Sequence, residues 1–128
     1  SLMIRTVRDD ARTSKERKDA MSIHIIEPGQ PPRPATADER AALGSPPSIE
    51  TLRAFIGCAY VEIIPGVRDY DGEPADMVGD ENAALDGRLF NAEAVSLRDA
   101  ALGAAGHRPS PNPLFGAVLI LTGADRLE

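Results

Sequence analysis

Residues 80–94 read DENAALDGRLFNAEA, from Asp80 to Ala94. Asp80, Glu81 and Asp86 are followed by Gly87, a short apolar step, and Asn91 before an alanine-rich run. Two readings compete: a cation site built from the acids, or a turn that leads into a capped helix. Asp-Gly suits a tight hairpin turn, because glycine tolerates positive φ. Asn is a strong helix N-cap, and Glu93 complements the positive end of a helix that starts there. The stretch therefore predicts a turn at Asp86-Gly87, a short strand over 88–90, and a helix over 92–102. Val95, Leu97, Ala101 and Leu102 are available to pack it.

Working outward, residues 75–81 form a weak strand before the turn, and 68–76 an acidic loop. Upstream, residues 58–64 alternate clearly: Ala59, Val61 and Ile63 on one face, Cys58, Tyr60, Glu62 and Ile64 on the other. Ser48 caps a preceding helix, IETLRAFI, and Gly57 stands where a C-terminal glycine belongs. Residues 28–47 form a proline-rich loop, with Pro31, Pro32, Pro34, Pro46 and Pro47, and a short helical turn at 38–43. Residues 22–27 read as the first strand. Downstream, LFGAVLILTG over 114–123 is a continuous apolar run of strand length, as in a buried strand. The expected fold is α+β: a small, mainly antiparallel sheet in the order β-α-β-β-β-α-β, with two helices on one face.

A chain of 128 residues suits one domain with a modest core. Residues 21–128 are read as that domain, and residues 1–20 as a charged extension, in part vector-derived at Ser1-Leu2. A single Cys excludes an internal disulfide and fits a reducing, cytoplasmic setting. No apolar run approaches the ~20 residues that span a bilayer, so no membrane partner is expected. Charge is uneven. Residues 1–20 hold six basic residues against four acids; the remainder holds eight Arg and no Lys against sixteen acids. So acidic a body is a poor match for phosphate backbones, and nucleic acid is not an expected partner.

Each candidate chemistry has a simpler structural reading beside it. Asp69, Asp71, Glu73, Asp76, Asp80, Glu81 and Asp86 fall within a short span. Counted from Asp69, the glycine and the terminal Glu that an EF-hand requires are misplaced, so no calcium or other metal site is expected. Cys58 has no helix N-terminus behind it to lower its pKa, and reads as a small buried hydrophobe. His24 and His107 lack zinc spacing; His24 reads as a packed or edge residue, His107 as a loop residue. Gly-rich phosphate loops are absent, and no cofactor is expected. Tyr60 and Glu62 share one strand face. If a helix covers that face, Glu62 needs a partner such as Arg88 or Arg98.

Three passages resemble the DUF3846 domain family: the opening strand ending IIEPG, the helix-to-strand passage LRAFIGCAYVEIIPG, and VGDENAALDGRLFNAEA followed by a helix and LFGAVLI. The likeness covers roughly residues 22–123, and the proline-rich insert and the longer acidic loop depart from it. It implies a fold and a phage, plasmid or bacterial setting of mobile-element or accessory type. It implies no activity.

The expected function is that of a small non-enzymatic binding or interaction protein, whose partner is another protein or a small ligand. A second reading is a small-molecule binder or enzyme with a polar cleft around Tyr60, Glu62, Arg88 and Asn91. A third is an acidic DNA mimic, weakened by Arg53, Arg68, Arg88 and Arg98, which interrupt the acids. A homodimer is expected through a strand edge or a helix face rather than the acidic loop, because residues 22–27 and 114–123 are apolar and would invite pairing if uncovered.

Overall fold

The computed structural model describes residues 22–127; the charged extension at 1–20 lies outside the described residues. Among the described residues, six strands and three helices follow one another: β1 (Ile23–Ile26), β2 (Arg33–Pro34), α1 (Ala37–Leu43), α2 (Ile49–Ile56), β3 (Val61–Ile64), β4 (Asp69–Tyr70), β5 (Glu73–Asp80), α3 (Ala92–Ala104) and β6 (Val118–Thr122). A short 3-10 turn, Gly123–Asp125, follows β6. The sheet runs β2-β1-β6-β5-β3, with β4 paired to the start of β5, and every pairing is antiparallel.

The α+β class and the antiparallel sheet are those expected. The helices are arranged differently. Two do share one face, but they are α1 and α2; α3 covers the opposite face. The reason lies in the central strands. Leu119 and Leu121 of β6 join Ile23, Ile25, Leu43, Leu52 and Ile56 in one apolar cluster. Val118 and Ile120 point the other way, into a cluster with Ile26, Met77 and Ala94. A strand with no polar face needs cover on both sides, since each fully buried Leu or Ile contributes roughly 2 kcal/mol.

Caps set the helix starts. Thr36 and Glu39 form a reciprocal capping box on α1, and Ser48 does the same with Thr51 on α2. Asn91 caps α3 by accepting the Ala94 N–H. Gly57 ends α2 in the left-handed conformation, φ +75°.

Three expectations change. First, β5 is not a weak strand: it is eight residues long and lies between β6 and β3. Its acids made it look weak, but Asp76 and Asp80 are buried and paired, with Arg126 and Arg88. Second, the tight hairpin turn is at Asp71-Gly72, not Asp86-Gly87. Tyr70 pairs with Glu73 across two residues at φ +53° and +80°, the positive values such a turn requires. Residues 88–90 form no strand; Phe90 makes only an isolated bridge to Phe115. Third, the apolar strands expected at an edge are interior: β1 lies between β2 and β6, and β6 between β1 and β5.

Candidate ligand-binding site

None of the four residues expected to share a cleft lines either of the two clefts described below. Asn91 is fully buried. Its amide nitrogen donates to Ile26 O (2.9 Å) and Gly116 O (2.7 Å), while its oxygen caps α3. Every polar atom of that side chain is occupied, so it ties α3 to the sheet. Arg88 donates through Nε to Asp80 Oδ2 (2.7 Å) and through a terminal nitrogen to Gly57 O (2.8 Å). Tyr60 is exposed, just before the edge strand β3. Glu62 lies on β3; burial, with the charges of Glu81 and Asp80, pushes its carboxyl above the usual range. Arg88 and Arg98 bond elsewhere, Arg98 to Asp99 and to Ser110 O.

The acids of the opening stretch are likewise engaged. Burial would raise the Asp80 carboxyl, but hydrogen bonds from Asp86, the Asn82 N–H and Arg88 hold it below the ordinary value. Asp86 is pushed up, chiefly by its hydrogen bond with Asp80. Among the described residues, no group of three or more His, Cys, Asp or Glu side chains is placed to hold a metal ion. Burial and the Asp80 charge raise the Cys58 thiol, which disfavours the nucleophilic thiolate.

Two clefts remain. One, of about 780 Å³, runs beside the C-terminal end of α3 and is lined by Arg68, His107 and Arg108 among others. Cations at the negative end of a helix dipole have a structural explanation. The other, of about 570 Å³, lies where β1, β4, β5 and the end of β6 converge, and no residue of α3 lines it. Its volume is in the range of small-molecule sites.

This second cleft is built from distant parts of the chain. β1 supplies His24, whose ring packs against Tyr70 of β4 at 4.8 Å between centroids. The Asp71-Gly72 turn brings Asp71 and Glu73 to one wall. Pro46, Ala124 and a polar knot around Asp125 also line the cleft. In that knot Arg40 donates to both oxygens of Asp125 (2.6 and 2.7 Å), to Ser22 Oγ (2.9 Å), and twice to Ser45 Oγ (3.0 and 2.8 Å). These bonds occupy all five guanidinium N–H groups. Ser22 Oγ also donates to Asp125.

His24 differs from its neighbours. It is only 8% exposed, it lines the cleft, and its Nδ1 has no hydrogen-bond partner. An unpaired buried nitrogen costs about 1–3 kcal/mol. Burial lowers the His24 pKa, opposed by the nearby Asp71 carboxylate, so at neutral pH the ring is uncharged, with one donor and one acceptor nitrogen. Burial and the same Asp71 charge raise the Tyr70 phenol. Sequence reasoning placed His24 correctly in the first strand but gave it only a packing role. The signal that could have found the cleft is the tight-turn pair in DYDGE, read instead as acidic loop. Compared with known protein families, with curated proteins and with solved structures, the chain matches none.

Proposed function

We propose that this chain is a non-enzymatic binding domain that holds a small ligand in the His24–Tyr70 cleft. The observation that carries this reading is a buried imidazole with an unpartnered nitrogen, set in a cleft of ligand size. Buried polar atoms are nearly always paired; Nδ1 is shielded from the cleft as the ring stands, and a half-turn of the imidazole is what would let an occupant supply its partner. The strongest polar group nearby, Arg40 with Asp125, is spent on itself and leaves no free guanidinium for catalysis. Membership of the DUF3846 domain family is compatible with this proposal, since that resemblance brings no activity. The test is a fragment screen read by backbone and histidine NMR. Shifts should cluster on His24, Tyr70 and Thr122. Fragments that bind only elsewhere, or not at all, would remove the reading.

A second reading, self-association, has its own observation. Among the described residues β3 has a strand neighbour on one side only, and Ile63 on it is 41% exposed. An uncovered edge invites pairing with a second copy. Sedimentation velocity across protein concentrations tests this. A dimer abolished by Ile63→Lys supports it, and a monomer throughout refutes it. No helix among the described residues is long and apolar enough to cross a membrane.

A further inference from the structure

We infer that the cleft is a site for a small organic cation, a primary ammonium or guanidinium group, held by Asp71 and Glu73 with Tyr70 and His24 as its aromatic walls. The inference rests on the proposed binding role and specifies the chemistry of the ligand.

The polar groups of the cleft divide unequally. Its permanent cation, Arg40, has every N–H engaged. Asp125 is matched to that guanidinium and is almost inaccessible. Asp71 and Glu73 also line the cleft, with no cation paired to either among the ion pairs of the described residues. Glu73 reaches toward the end of β6, where its Oε2 would lie 3.9 Å from a Cβ placed on Gly123. The neutral His24 ring adds one acceptor nitrogen. A half-turn of the imidazole about Cβ–Cγ, a soft and roughly two-fold torsion, moves Nδ1 to the other edge of the ring. What the cleft lacks is therefore a free positive charge.

The walls select the body of the ligand. Tyr70, His24, Pro46 and Ala124 offer apolar and aromatic surface. A cation beside an aromatic face is attracted by the ring quadrupole, most strongly when desolvated. A bare metal ion gains little from such walls, and no three-ligand group is present among the described residues. An alkylammonium or guanidinium with a short carbon chain satisfies both halves of the cleft.

The experiment is calorimetric titration of the full chain with agmatine, which bears both cationic groups, beside benzoate and indole as anionic and neutral probes. Histidine and tyrosine NMR signals are followed throughout. Agmatine should bind saturably with one site and shift His24 and Tyr70. Asp71→Asn should weaken it at least tenfold; Asn tolerates the positive φ of this turn, so the fold is retained. Glu73→Gln should also weaken it. Glu81→Gln removes an equal charge outside the cleft and should change affinity less than twofold. If all three variants behave alike, agmatine is attracted only to the acidic body, and the inference falls. If indole or benzoate shifts His24 and Tyr70 but agmatine does not, the cation assignment falls while the binding role stands. If no probe shifts them, both fall.

Discussion

Arg40 and Asp125, 85 residues apart in sequence, form a two-bonded ion pair at 2.6 and 2.7 Å, with the carboxylate side chain only 5% exposed. The pair fastens the last turn of α1 to the turn after β6 and fixes one wall of the cleft. Removing one partner leaves a buried charge uncompensated, which is more damaging than removing both. Arg40→Met should therefore destabilise the fold by about 3 kcal/mol. Arg40→Met/Asp125→Leu should cost less than the single change. Urea denaturation of the parent and both variants checks this; a double variant that costs as much as Arg40→Met, or more, would refute it.

Asn91 and Ser48 both cap helices, yet their losses should differ. Ser48 is exposed and bonds only within its own capping box. Ser48→Ala should cost about 1 kcal/mol. Asn91→Ala loses the cap and strands the carbonyls of Ile26 and Gly116. Each unsatisfied buried group adds about 1 kcal/mol or more, so the expected loss is about 3 kcal/mol. Equal losses in thermal or urea unfolding would mean that the two carbonyls find other partners.

These caps belong to what is legible from sequence: local signals within four residues fixed the starts of α2 and α3, and the apolar run fixed β6 as buried. What stayed hidden depends on partners distant in sequence. Asp76 and Asp80 made β5 look weak because nothing local reveals Arg126 and Arg88. The two Asp-Gly pairs are equivalent as dipeptides; only the pairing of Tyr70 with Glu73 decides which closes a hairpin. Tyr60 and Glu62 suggested a polar cleft because alternation puts them on one strand face, with Arg88 as a partner; nothing local reveals that Arg88 is tied to Asp80 and Gly57 O. The residues that do meet at a cleft, His24, Arg40, Tyr70 and Asp125, span more than 100 positions.

Acid should weaken the fold through Glu39. Hydrogen bonds from Arg33 (2.7 and 2.9 Å), with a further bond from the Thr36 N–H, outweigh partial burial and hold its carboxyl at about 2. A carboxyl with a depressed folded-state pKa stabilises the fold above its unfolded value, ordinarily near 4.5. That contribution is lost as pH falls from about 4.5 through about 2. After discounting for solvent screening of a partly exposed pair, the loss is about 1 kcal/mol. Stability measured from pH 6 to 2 should fall more steeply in the parent than in Glu39→Gln. Parallel curves would show that the pair contributes nothing.

Gly116 offers the sharpest packing test, because two separable effects meet there. Its backbone is left-handed, φ +73°, and a Cβ would lie 2.6 Å from Arg88 Cδ. The conformational effect of Ala in this region is about 1–2 kcal/mol. The steric effect, from displacing a packed side chain, adds about 1–3 kcal/mol. Arg88 cannot swing away freely, because it is tied to the buried Asp80 and to Gly57 O. Gly116→Ala should therefore cost about 3 kcal/mol in the parent. In an Arg88→Ala background the contacts with Cδ and Cγ are gone and only the tight Cβ contact at 3.3 Å is left beside the conformational effect, so the same substitution should cost about 1–2 kcal/mol. Denaturation of the four proteins yields the coupling directly. A Gly116→Ala cost that is the same in both backgrounds would show that Arg88 moves aside without loss, and that its bonds to Asp80 and Gly57 do not hold it in place.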